Sequence, residues 1–161
     1  MYFVNSMGDL FHPSVQFTDI DIVFAAMSAC PQHIFQILTK HPDRMLEWLN
    51  WRQSIDFENH DVDTEQRVAN ARTNYWKQWQ PWRWPMPNVW MGTSVENKKE
   101  AYNRKYFLKL ISEQGWFTWI SNEPSLGLID WKGYEFIRWM VTGGESGPGA
   151  RPMHPAWAEQ A

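Results

Sequence analysis

The sequence predicts an α/β fold, an incomplete βα (TIM-like) barrel with about five parallel strands. Three observations carry that prediction. Five short apolar runs each end abruptly in small, acidic or amide residues, as strands do when they deliver side chains to one rim of a barrel. Segments of helical character lie between them, so strand and helix alternate, the signature of a parallel sheet with crossover helices. At 161 residues the chain is short of a complete eight-stranded barrel, which typically needs about 250, yet it suits one domain that buries roughly 70% of its unfolded surface. Residues 1–161 therefore read as a single partial-barrel domain, with residues 51–87 as a Trp-rich insertion in one crossover.

Each element follows from local chemistry. The first strand run, Tyr2-Phe3-Val4, passes into Asn5-Ser6-Met7-Gly8-Asp9. Thr18 is placed to cap a helix whose apolar positions include Ile20, Val23, Phe24 and Met27, ending near Cys30 before Pro31. The second run, Ile34 to Leu38, passes into Thr39-Lys40, and Pro42, favoured in a first turn, opens a helix carrying Met45, Leu46 and Leu49. Ser54 to Glu65 is acidic without an apolar period and reads as an exposed loop. It lacks the glycine and terminal glutamate of an EF-hand calcium loop. A helix is expected from Glu65 to about Gln80, after which Pro81, Pro85 and Pro87 break the chain.

The third run, Val89-Trp90-Met91-Gly92, passes into Thr93-Ser94-Val95-Glu96-Asn97. Asn97 is placed to cap a helix through Ala101, Phe107, Leu108 and Ile111 that stops at Gly115. Phe117 to Ile120 runs into Ser121-Asn122-Glu123-Pro124, and Trp139-Met140-Val141 into Thr142-Gly143-Gly144-Glu145-Ser146. Pro155 opens a last helix. Because a parallel sheet needs both faces covered and its edges protected, the sequence reads as a piece of a larger fold.

Composition narrows the function classes. A formal net charge of -3 gives no global field towards nucleic acid or membrane, although local basic patches remain open. Cys30 is the sole cysteine, which excludes an internal disulfide and any metal site or cluster held by several of this chain's cysteines, so no metal site is assigned. No leader of signal-peptide form and no apolar stretch near 18 residues is found, which points to a cytoplasmic protein and no membrane partner.

Several polar groups are candidates for chemistry. The Gly143–Pro152 segment holds four glycines in seven residues, letting backbone N–H groups approach a ligand, with Glu145 and Arg151 flanking them. It matches neither the Rossmann nor the P-loop pattern, and a tight turn is the structural alternative. Asn5, Ser6 and Asp9 offer a polar set for an amino or hydroxyl group, or a helix cap. Ser94, Glu96 and Asn97 form a second set, with Asn97 also a cap. Glu123, held before Pro124, is the candidate catalytic acid or base if buried near Glu145 or Glu96. Lys40, His41 and Arg44 could hold a phosphate or carboxylate, or lie solvated at a helix start. His12 and His154 have no ligand spacing.

Twelve tryptophans stand out, six of them (Trp48, Trp51, Trp76, Trp79, Trp82, Trp84) in one stretch. With Arg67, Arg72, Lys77 and Arg83 nearby, they combine stacking surface and positive charge as single-strand nucleic-acid binders do. Packing of Trp76 and Trp79 from one helix face is the other reading.

Taken together, the segments F-V-N-S-M-G-D-L-F-H, F-Q-I-L-T-K-H-P-D-R-M, N-V-W-M-G-T-S-V-E-N, S-N-E-P-S-L-G and G-G-E-S-G-P-G-A-R-P-M-H-P-x-W resemble the phage Gp37/Gp68 family, DUF5131. The resemblance covers about residues 2–50 and 85–157 and leaves the insertion outside. It implies a barrel like that of radical S-adenosylmethionine enzymes, with an iron–sulfur cluster held by a three-cysteine segment before the first of these motifs. Such a segment is not found here, and Asn122 stands where members often show cysteine. By the same resemblance Ser6 and Asp9 would hold the methionine amino group of S-adenosylmethionine, while Ser94, Glu96 and Asn97 face its ribose or carboxylate. The loop of Gly143, Gly144, Glu145 and Ser146 would approach the adenine. The expectation is a truncated member, inactive alone. The alternatives are a nucleic-acid-binding module built on the insertion and one half of a split enzyme, whose partner chain supplies the cysteine segment.

Overall fold

A computed structural model gives the fold, and it describes residues 1–54 and 84–159. The element order is β1 (Tyr2–Val4), α1 (Phe17–Ser28), β2 (Phe35–Thr39), α2 (Pro42–Ser54), β3 (Val89–Ser94), α3 (Lys98–Glu113), β4 (Phe117–Asn122), β5 (Trp139–Thr142) and α4 (Pro155–Glu159). The five strands form one sheet in the order β1-β2-β3-β4-β5, every pair parallel. Parallel strands in sequential order need crossover connections, which as a rule are of one hand and so put the connecting helices on one face, an arrangement consistent with an incomplete βα barrel. The expected acidic loop, the helix from Glu65 to about Gln80, and Trp76, Trp79 and Trp82 with their basic neighbours lie outside the described residues.

Register divides the side chains of the sheet into two faces. Ile37, Val89, Met91 and Ile120 are fully buried against the helices, together with Ile20 and Phe24 of α1, Met45, Trp48 and Leu49 of α2, and Leu108 and Ile111 of α3. Fully burying one such side chain is worth about 1.5–3 kcal/mol, so this helix-covered layer is the main stabilising core. Tryptophan supplies much of it. The rings of Phe24 and Trp48 approach to 4.1 Å, and Trp84 meets Trp116 edge-on at 4.9 Å. Trp48, Trp51 and Trp84, the described members of the crowded stretch, therefore pack against this core.

Between α1 and α2, Arg52 and Asp21 form a buried ion pair with Nε and Oδ1 at 2.8 Å. Such a pair locks two helices in one relation, because losing either partner leaves a charge without compensation.

The opposite face of the sheet carries the alternate residues. Phe3, Gln36, Trp90 and Phe117 lie side by side in register, and in the next layer Leu38, Gly92, Trp119 and Trp139 do the same. Gly92 is required here by close approach: a Cβ at this position would come within 2.3 Å of the Trp119 indole. With that space free, the Trp119 Nε1–H donates to the carbonyls of Ile37 (3.1 Å) and Trp90 (3.3 Å), and the indole spans β2 and β3.

Two helix starts test the capping logic. Asn97 caps α3 as its chemistry predicts, Oδ1 accepting from Lys99 N–H (2.9 Å) and Glu100 N–H (3.1 Å). For α1 the expected cap is corrected: the N-cap is Gln16, without a side-chain hydrogen bond, and Thr18 lies inside the first turn. Packing fixes that start instead, with Phe17 against Trp51 and beneath the Arg44 guanidinium. Among the described residues no helix is long and apolar enough to cross a membrane.

Candidate functional site

The carboxyl ends of the strands form a polar rim, and its best-defined part follows β1. Asn5 adopts a left-handed φ of 57°, tolerated by asparagine, and its carbonyl accepts from Gly8 N–H to close a turn. This turn presents Asp9 to the end of β2. The Asp9 carboxylate accepts from the Thr39 hydroxyl (2.6 Å), Lys40 N–H (2.9 Å) and Phe11 N–H (3.0 Å). Asp9 thus ties the first loop to the second strand. A carboxylate has about four acceptor positions, so one remains for a ligand. Beside it opens a cavity of about 200 Å³, bordered by Asn5, Ser6, Asp9, Thr39, Lys40 and Ser94 over a floor of Phe3 and Leu38.

The second part lies beyond β3. Glu96 pairs with Arg104 at 3.0 Å and more loosely with Lys40 at 3.6 Å, and Arg104 also holds Glu100 at 2.9 Å and the Ser94 carbonyl at 2.6 Å. Arg104 was not singled out from the sequence; the only local signal for it is the i,i+4 spacing to Glu100. Lys40 remains largely exposed, its Nζ free to turn towards an anion in the cavity. The other basic residues do not join it. Arg44 donates to the Val15 carbonyl, and His41 packs edge-on against His12.

The third part links β4 to β5. Asn122, almost wholly buried, donates to the Val95 carbonyl (2.6 Å) and accepts from the Thr142 hydroxyl (2.8 Å). One amide therefore joins the ends of three adjacent strands. Glu123 is exposed, accepts from the Ser121 hydroxyl at 3.3 Å, and lies against Gly143, where a Cβ would meet its Oε1 at 2.6 Å. The glycine loop is closed by Glu145 and Arg151: the guanidinium donates through Nε (2.8 Å) and Nη2 (2.6 Å), and the Arg151 backbone N–H adds a third bond at 2.9 Å. These bonds from the Arg151 side chain, then its backbone, hold the Glu145 carboxyl down at about 2, from an ordinary 4.5. The arginine's own pKa is raised by the same contact.

The rim thus gathers the polar sets after β1, β3 and β4, with the Glu145 loop at its β5 end. Ser6 and Ser94 line the cavity, while Asn97 serves α3. An iron–sulfur cluster does not fit the residues present. Cys30 lies between α1 and β2, at the end of the sheet away from the rim, and among the described residues no group of three or more His, Cys, Asp or Glu gathers around a point. Thiolates for a cluster would come from outside these 161 residues.

Fold and rim define the class: a partial βα barrel with a polar cleft at its strand ends. The family model described as "Protein of unknown function (DUF5131)" matches residues 1–161, and the chain belongs to that family. The match runs through residues 51–84 as well, which the motif resemblance left outside. No curated protein and no solved structure gives a significant match.

Proposed function

We propose that the rim binds S-adenosylmethionine, the ligand implied by the chain's resemblance to phage Gp37/Gp68 proteins and radical S-adenosylmethionine barrels. The observation that carries this reading is the cavity beside Asp9. Its chemistry suits an α-amino acid: the remaining acceptor position of Asp9, with Asn5 and Ser6, for the ammonium, and the loosely paired Lys40 for the carboxylate. At about 200 Å³ it holds one end of such a ligand, since whole-ligand pockets run from about 300 Å³. The nucleoside end would extend past Ser94 and Glu96 towards the Gly143–Ser146 loop. Glu123 is exposed and lies beside Ser121 and Gly143, so the burial near Glu145 or Glu96 on which its acid or base role depended is not met, and no such role is assigned to it. The chain alone does not cleave the ligand radically, because no step through a cluster can be built on one distant cysteine.

Isothermal titration calorimetry with S-adenosylmethionine tests the reading. Saturable binding is expected, weakened at least about tenfold by Lys40→Ala, as loss of a charge-assisted contact predicts. No heat at millimolar ligand, or equal affinity for the wild type and Lys40→Ala, overturns it.

A further inference from the structure

The outward face of α3 carries a surface that neither the core nor the rim uses. Ala101, Leu108 and Ile111 bury the opposite side of the helix, so the residues that recur every three or four positions between Lys98 and Glu113 share the solvent side. That side presents Tyr102 and Tyr106, 83% and 63% exposed. They stand one turn apart, about 6 Å along the axis. Tyr106 also meets Phe107 edge-on at 5.5 Å, which steadies its ring. Two adjacent rings make a patch, not a scattered surface residue, and a patch marks a contact.

Charge says with what. Lys98 and Lys99 lie exposed before the tyrosines and Lys109 after them, over about 16 Å of helix. Glu100 is drawn aside by Arg104 at 2.9 Å. Glu113 is the carboxylate left on this face, and it pairs loosely with Lys109 at 3.8 Å while both side chains stay more than half exposed. Such a pair is worth under about 1 kcal/mol, so Lys109 can turn to a phosphate. The overall charge of -3 does not cancel the stripe, because salt screens charges more than about 10 Å away.

We propose that the outward face of α3 binds single-stranded nucleic acid, with bases stacking on Tyr102 and Tyr106 and the flanking phosphates meeting Lys98, Lys99 and Lys109. Single strands are gripped by this combination of planar rings and positive charge. The other occupants use only half of it. A lipid surface or apolar peptide asks for exposed aliphatic side chains, whereas Leu108, Leu110 and Ile111 are buried or half-buried. An acidic peptide would meet the lysines and leave the ring faces unused. Duplex bases are already stacked on each other and offer no free face. None of these residues belongs to the 51–87 insertion, and the surface is independent of the ligand proposed for the rim.

Fluorescence anisotropy with a labelled oligothymidylate of about 12 nucleotides tests the proposal. Three lysine–phosphate contacts give a salt slope of about -2, so affinity should fall roughly 20-fold between about 50 and 200 mM salt. Replacing Lys98 and Lys99 together by Ala should cut that fall to roughly threefold. Tyr102→Ala and Tyr106→Ala should each weaken binding at least about fivefold, and Tyr102→Phe and Tyr106→Phe should restore it, since stacking needs only the ring. Far-UV circular dichroism checks that each variant keeps its fold. No binding at low salt overturns the proposal, as do Tyr→Ala variants that bind like the wild type, which would put the contact elsewhere in the chain. Equal affinity for a duplex, or equal competition by polyglutamate, overturns it as well.

Discussion

Gly92→Ala is a small change with a worked cost. The added Cβ would stand 2.3 Å from Cε2 and Nε1 of Trp119 and 2.7 Å from Cδ2, so the indole must retreat by more than an ångström to reach ordinary contact. Retreat breaks the Nε1–H bonds to Ile37 and Trp90. Overpacking costs about 1–3 kcal/mol, and an indole N–H left unpaired about 1 kcal/mol more. Against this, replacing glycine within a strand gains roughly 0.5–1 kcal/mol. The net expectation is a loss of about 1–3 kcal/mol, read as a lower midpoint in urea unfolding followed by far-UV circular dichroism. The decisive control is Trp119→Leu, which removes the obstructing ring. In that background Gly92→Ala should become neutral or stabilising, giving a coupling of about 2 kcal/mol in a double-mutant cycle. Equal cost in both backgrounds, or a loss under about 0.5 kcal/mol in the wild type, would refute the reasoning.

Two further outcomes follow from the rim. Asn122→Ala leaves the Val95 carbonyl and Thr142 hydroxyl without their partner and should cost about 2–4 kcal/mol in the same assay; a loss below about 1 kcal/mol would mean the three strand ends do not depend on it. Glu145 titrates lower in the folded chain, about 2 against 4.5, so its contribution to stability is complete above pH 4.5 and is lost as pH falls through about 2. The melting-temperature advantage of wild type over Glu145→Gln should therefore be constant above that window and shrink within it. A gap already closed at neutral pH would sink the assignment.

The strand ends were legible because parallel strands stop where apolar runs meet polar residues, and all five runs became strands within a residue or two. Asn97 was legible for the same local reason: its cap closes within three residues. The Glu145–Arg151 pair spans only a glycine turn, and the sequence marks both residues as its flanks. What escaped is long-range. Trp119 reaches the Ile37 carbonyl across 82 positions, and nothing near either residue announces that Gly92 must stay bare beneath the ring. Asn122 meets Thr142 only after β4 and β5 have paired. The start of α1 departs from the Thr18 cap that local chemistry suggests: the helix begins at Phe17, whose ring docks on Trp51, a contact 34 positions away that the residues around Thr18 do not announce.

The closed glycine loop has a consequence for selectivity. Arg151 turns its guanidinium on Glu145 through two side-chain bonds, so the loop presents two opposite charges that cancel each other. A phosphate arriving there would meet a guanidinium whose charge the Glu145 carboxylate already offsets, and would lie close to that carboxylate. An uncharged heterocycle meets no such competition and could use the glycine backbone directly. If the proposed ligand sets its nucleoside end here, the intact pair would favour an uncharged base over a phosphate.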